Sequence, residues 1–242
     1  MGSDDAEVLT RTESRPDRVL DCAAMEPVAP RPARVLVLTG PSGAGKSRLA
    51  RRLTARFGWP MVALDDFYRE GTDPDLPMSP LGLVDWDDVR SWHLDAALTA
   101  LEELCVHGCT DVPVYDIASS SITGHHVLER GPHDVVVAEG IFAAHAVEGL
   151  RERGLLAQAW CVRNHPWLTF VRRLVRDLAE RRKPPLTLWR RGHVLRRAEP
   201  GIVAAHEALG AVPVTAKEAE RLVHDLLAPE GAGARSAGGP GG

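Results

Sequence analysis

The chain reads as an α/β protein, a parallel sheet covered by helices on both faces, and three observations say so. The apolar run Val35-Leu36-Val37-Leu38 leads into Gly40-Pro41-Ser42-Gly43-Ala44-Gly45-Lys46-Ser47 and then straight into a helical pattern. Short apolar runs alternate with amphipathic stretches along the chain, the order that builds a parallel sheet. The length of 242 residues and a hydrophobic content of 44 % suit one well-buried α/β domain, and no internal repeat is visible.

The octapeptide fits G-x-x-x-x-G-K-[ST], the phosphate-binding loop of the P-loop NTPase type. Its glycines let the backbone curl so that successive N–H groups meet phosphate oxygens, and the following helix adds the positive end of its dipole. Gly40, Ser42, Gly43, Ala44, Gly45, Lys46 and Ser47 are therefore the candidate cradle for ATP. Lys46 is expected to reach the β- and γ-phosphates and the Ser47 hydroxyl to hold Mg²⁺.

The elements follow in order. Residues 1–30 are charged and proline-bearing and read as a flexible extension ahead of one P-loop domain over 31–228. The first strand is Arg34 to Thr39, apolar at its centre like a strand buried on both faces. A helix runs from Lys46 to Phe57, burying Leu49, Leu53 and Phe57, and Gly58 stops it. A second strand, Met61 to Leu64, ends in Asp65-Asp66-Phe67-Tyr68. The loop to about residue 86 carries Pro74, Pro77 and Pro80 and is too long for a mere connector, which suggests a binding loop. Asp85, Asp87 and Asp88 offer caps for a helix reaching Cys105. Val112 to Asp116 reads as a short edge strand because Pro113 cannot sit centrally.

Asp134 to Ala138 is a third core strand, followed by Glu139-Gly140, a helix over about 142–153 and a strand from Ala157 to Val162. The helix Pro166 to Arg182 is broken by Lys183-Pro184-Pro185 before a second basic helical stretch, Leu186 to Arg197, and 183–198 is the expected helical lid. A helix from Glu199 to Leu209, a strand Val212 to Val214 and a helix Ala216 to Leu227 close the domain. The Gly-, Ala- and Pro-rich residues 229–242 read as a disordered tail.

Composition narrows the function classes. A formal charge of −4 gives no general attraction to nucleic acid or anionic membrane. No apolar run approaches the ~20 residues of a membrane span, and Asp4, Asp5 and Glu7 replace the basic start of a leader, so the expected location is cytoplasmic. The four cysteines form no paired C-x-x-C, and Cys105 and Cys109, four apart at a helix end, read as core or surface thiols, with a metal site the competing reading.

A phosphate loop alone does not say where the γ-phosphoryl group goes; the acids decide. Transfer to an alcohol needs Mg²⁺ held across the phosphates, a carboxylate to take the hydroxyl proton, and cations to neutralise charge. Asp65 lies at the carboxyl end of a strand, where ligand crevices form, although a turn-forming role competes, and more strongly for Asp66. Glu139 follows three valines and an alanine, where metal-linked acids of P-loop enzymes sit.

With these residues in place, the chain resembles the uridine kinase family, within the uridine kinase and phosphoribulokinase group of P-loop kinases. The resemblance rests on Gly40 to Ser47, Asp65-Asp66-Phe67-Tyr68, Asp85 in a D-x-x-D setting, Val114-Tyr115-Asp116, Glu139-Gly140-Ile141 and Arg172-Arg173-Leu174-Val175-Arg176-Asp177 through Arg181, in matching order from about 33 to 183. It implies that Asp65 is the base and a metal-linked group, and that Glu139 joins Ser47 at Mg²⁺. Asp85 would contact a ribose hydroxyl, with Tyr68, Tyr115 and Ser120 on the substrate side. Arg172, Arg173, Arg176 and Arg181 would stand over the ATP phosphates, Arg176 in a catalytic role, while a solvated helix face competes for the set.

Two departures concern the acceptor. Val84-Asp85-Trp86-Asp87-Asp88 stands where the family has F-D-H-P-D, and Ser119-Ser120-Ser121 stands where it has a pyrimidine-contacting histidine. The reading is thus an ATP- and Mg²⁺-dependent kinase acting on a hydroxyl of a nucleoside or similar small molecule. Its alternative is a nucleotide-binding regulatory NTPase without an acceptor. Nucleic-acid and membrane partners are not expected, and oligomeric state is left open.

Overall fold

The computed structural model describes residues 32–80, 82–164 and 199–227. The central sheet has five strands: β1 (Arg34–Thr39), β2 (Met61–Ala63), β5 (Val135–Glu139), β6 (Leu156–Val162) and β7 (Val212–Val214). Their spatial order is β2-β5-β1-β6-β7, and every neighbouring pair is parallel. A separate antiparallel ribbon is made by β3 (Cys109–Asp116) and β4 (Ser121–Glu129).

The helices are α1 (Lys46–Phe57), α2 (Leu94–Val106), α3 (Ala146–Glu152), α4 (residues 199–208) and α5 (Ala216–Leu227). β1 explains why helices cover both sides. Val35 and Val37 pack into one cluster with Leu98, Leu101 and Leu104 of α2 and Val147 and Leu150 of α3. Leu36 and Leu38 pack into the other with Leu49 and Leu53 of α1 and Val223 of α5. All four β1 side chains are inaccessible to solvent, so the run has no polar face to alternate with.

Several sequence expectations meet the structure residue for residue, among them β1, α1, β7 and α5. Others are corrected. The second strand ends at Ala63, and Leu64–Phe67 forms a 3₁₀ turn that turns its two acids away from strand geometry. The helix expected to start at one of Asp85, Asp87 and Asp88 and to reach Cys105 is a 3₁₀ turn, Val89–Ser91, followed by α2, because Trp92 is extended between them. Asp88 caps the short turn, accepting from Arg90 N–H at 2.8 Å.

Val112 to Asp116 is not an edge of the main sheet. Among the described residues it pairs only with β4, a strand the sequence hides because Gly124 and the adjacent His125 and His126 interrupt its apolar alternation. Cys105 and Cys161 are buried thiols, whereas Cys109 is disulfide-bonded where a thiol was expected. The predicted extension, lid and tail fall on residues 1–31, 165–198 and 228–242, outside the described residues. Among the described residues, no helix is long and apolar enough to cross a membrane.

Candidate active site

The carboxyl ends of β1, β2 and β5 converge, and the candidate residues sit there. After β1, Gly40, Gly43 and Gly45 all take positive φ (133°, 83° and 100°), the conformations that bend the loop back onto α1. Gly40 has a second reason to be glycine: a Cβ there would collide with the backbone carbonyl of Val162 on β6. Ala44 N–H donates to Pro41 O at 3.1 Å inside the loop. Gly45 begins α1 without a side-chain cap, and the first turn carries no acid. That helix end therefore keeps its positive character for an anion.

Lys46 folds back over the loop, only 6 % exposed, and its Nζ donates to Gly40 O at 3.0 Å and Pro41 O at 3.5 Å. Ser47 Oγ donates to Glu139 Oε1 at 3.0 Å across 92 residues of sequence. Glu139 is the last residue of β5 and is buried. Burial raises its carboxyl pKa and the nearby Asp65 charge adds to this, against the lowering pull of Lys46 and the Ser47 hydrogen bond.

Asp65 reaches the same place from the 3₁₀ turn after β2. Its Oδ1 accepts from Ile141 N–H at 2.8 Å, so the turn after β5 fixes the acid from the turn after β2. Gly140 makes the approach possible, since a Cβ on it would stand 2.9 Å from both Asp65 Oδ1 and Leu64 Cβ. Burial pushes the Asp65 pKa up, while the Ile141 N–H and Lys46 hold it down. The two carboxylates and one hydroxyl are hard oxygen donors, the set that suits Mg²⁺ shared with phosphates and water. No group of three His, Cys, Asp or Glu able to hold a metal occurs among the described residues, so an all-protein cage is not built there.

Near Asp65 lies an aromatic group. The Tyr68 ring packs against Trp86, Tyr115 and Phe142 with centroids 5.8 to 5.9 Å apart. Tyr68 OH donates to Trp86 O at 3.4 Å, and burial raises its pKa well above the ordinary phenol. Tyr115 OH donates to Arg69 O at 3.1 Å, tying the ribbon to the start of the long loop. Asp85 is half-buried in that loop and accepts from Asp87 N–H at 3.2 Å. Ser120 takes φ 51° at the ribbon tip, and its carbonyl accepts from Gly71 N–H at 2.7 Å. Asp66, next to Asp65, is half-buried; burial raises its carboxyl pKa, against the lowering pull of the Tyr115 backbone.

Residues 35–184 match the model of the Phosphoribulokinase / Uridine kinase family, which is more than half of the chain. The chain belongs to this family. Two curated relatives of Arabidopsis thaliana, inorganic pyrophosphatase TTM2 and inorganic pyrophosphatase TTM1, are each 29 % identical over 150 residues, 61 % of this chain. The match spans only about a fifth of their length, 20 % and 21 %. Among solved structures, a protein assigned as a fructose transport system kinase from Silicibacter sp. TM1040 superposes with a TM-score of 0.50 at 18 % identity, covering 75 % of this chain and 88 % of that one. That likeness is one of fold.

For this family member, the loop, Lys46, Ser47, Asp65 and Glu139 are brought together as one cluster. Tyr68, Tyr115, Asp85 and Ser120 lie on the ribbon and the long loop beside it. Arg172, Arg173, Arg176 and Arg181 lie outside the described residues. Two side chains at the loop were not foreseen. Asn164, just past β6, donates from Nδ2 to Ala44 O, and His206 of α4 meets Thr39. Asn164 carried one available signal, its position beyond the carboxyl end of a parallel strand, where ligand crevices form.

Proposed function

We propose that the protein is an ATP- and Mg²⁺-dependent kinase that phosphorylates a hydroxyl of a nucleoside or another small alcohol. The observation that carries this reading is the second acid: Asp65 stands on a different strand end from the phosphate loop yet lies within electrostatic reach of Lys46 and Glu139. A nucleotide switch needs the loop and a metal-linked acid; an acceptor needs a further carboxylate near the γ-phosphate.

In this reading the loop N–H groups and Lys46 bind the phosphates, and Ser47 with Glu139 and Asp65 would hold Mg²⁺, which offsets charge on the transferring group when bound. Asp65 takes the proton of the acceptor hydroxyl at its carboxylate, the Ile141 N–H keeping Oδ1 in place. Its raised pKa is that of a better base than an exposed aspartate. Tyr68, Tyr115 and Trp86 offer ring faces for the body of the acceptor, and Asp85 a hydrogen-bond acceptor for its other hydroxyls. Arg172, Arg173, Arg176 and Arg181 are assigned to the phosphates by family resemblance, with 183–198 as a lid.

An ADP-release screen with Mg-ATP against nucleosides, pantothenate and sugar alcohols tests the proposal. Acceptor-dependent ADP formation supports it. ADP release that no acceptor stimulates supports the regulatory NTPase, and release of phosphate from pyrophosphate would carry over the activity named for the Arabidopsis relatives.

A further inference from the structure

Thr39 and His206 make a buried polar contact that the chemistry above leaves unused. Thr39 closes β1 immediately before Gly40 and is inaccessible to solvent, and its Oγ1 lies 3.0 Å from His206 Nδ1. The same nitrogen is 3.9 Å from Cys161 Sγ on β6. His206 is 8 % exposed, and burial, with His145 and Lys46 nearby, draws its pKa down to about 4, so the ring is neutral at ordinary pH. Valine would fill the space of Thr39 at the end of the buried apolar run Val35–Leu38. A buried hydroxyl persists there with a partner because an unmade hydrogen bond costs its full desolvation.

The contact sits where the phosphate loop is most demanding. Gly40 packs against Val162 on one side, and its carbonyl accepts from Lys46 on the other. The three positive-φ glycines make the loop costly to order, and anchoring its first residue lowers what must be ordered on binding. We infer that His206 is a positioning residue of the phosphate loop, acting through Thr39, so that α4, which follows residues 165–198, is coupled to nucleotide binding. This rests on reading the loop as a nucleotide site.

The test uses the full chain and four variants: Thr39→Val, His206→Leu, His206→Asn and the Thr39→Val/His206→Leu double. Amide hydrogen exchange of residues 40–47 is read without nucleotide, and the Kd for Mg-ATP by calorimetry. Thr39→Val and His206→Leu should each speed loop exchange and weaken Mg-ATP binding by about five- to thirtyfold, the range of one lost buried hydrogen bond. The double should be no worse than the worse single, and His206→Asn, whose amide reaches the Nδ1 position, should stay near wild type. A merely structural role would lower the melting temperature with loop exchange and Kd unchanged, and that result overturns the inference, as do losses that multiply in the double. Should His206→Leu not fold, the near-isosteric Thr39→Val decides alone. A wild-type protein that binds no nucleotide sinks the functional reading, while the exchange arm still decides this one.

Discussion

Lys46 opens α1 directly after the loop, Asp65 sits within the 3₁₀ turn after β2, and the two answer different questions. Lys46 bridges Gly40 and Pro41 carbonyls and is one of three lysines in the chain, so Lys46→Ala removes the point charge aimed at the phosphates. A folded Lys46→Ala protein should show no useful Mg-ATP binding by calorimetry; wild-type affinity would contradict the assignment. Asp65 has a carboxyl pKa raised above 3.8 by burial, so its contribution to stability is fully present below 3.8 and is lost as pH rises through the folded value. At neutral pH the buried charge is therefore a cost to the fold. Asp65→Asn should raise the melting temperature of the nucleotide-free protein at pH 7, with the gap closing toward pH 4, and should lower turnover by ~10² to 10⁴ with little change in ATP binding. Asp66→Asn should be much milder, because it is Asp65, not Asp66, that Ile141 N–H holds at the end of β5 beside Glu139.

At the scale of elements, β1 and its loop depend on close approach to β6. Gly40→Ala combines a φ of 133° with a collision at the Val162 carbonyl, and should cost about 1 to 3 kcal/mol of stability as well as nucleotide binding. Gly124→Ala on β4 meets nothing within 4 Å and should leave the denaturation midpoint unchanged. The proposed lid over 183–198 has its own check: a non-hydrolysable ATP analogue should slow proteolysis between residues 181 and 197, and identical cleavage would count against closure. Elements whose local signals agree were legible in the sequence, as with α1, where Gly45 and Gly58 bracket the Leu49 and Leu53 stripe. β4 was not, because a ribbon strand with mostly exposed side chains has no apolar alternation to announce it. The break at Trp92 was also hidden, since its cause is tertiary: the indole donates to Leu64 O at 2.7 Å.

For the whole molecule, the phosphate half of the site was readable from spacing alone, while its depth was not. That Asp65 would be fixed by Ile141 N–H, or that Thr39 would find a histidine 167 residues away, depends on sheet order, which puts β5 between β1 and β2 and β6 on the far side of β1. The acceptor half follows the same logic. Ser119 is engaged with Asp116 and Ser121, and His125 and His126 lie on β4 opposite Pro113 and Val112, away from the ribbon tip. Uridine should accordingly be a poor acceptor beside an alcohol of different shape. The most direct test of the central claim is phosphoryl transfer followed by ³¹P NMR with Mg-ATP and the best acceptor from the screen, for wild type and Asp65→Asn side by side. The account predicts a new phosphate-ester signal growing with ADP in the wild type and slowed at least ~100-fold in Asp65→Asn. Ester formation at the wild-type rate in Asp65→Asn, or ADP formed with inorganic phosphate alone whatever the acceptor, would contradict it.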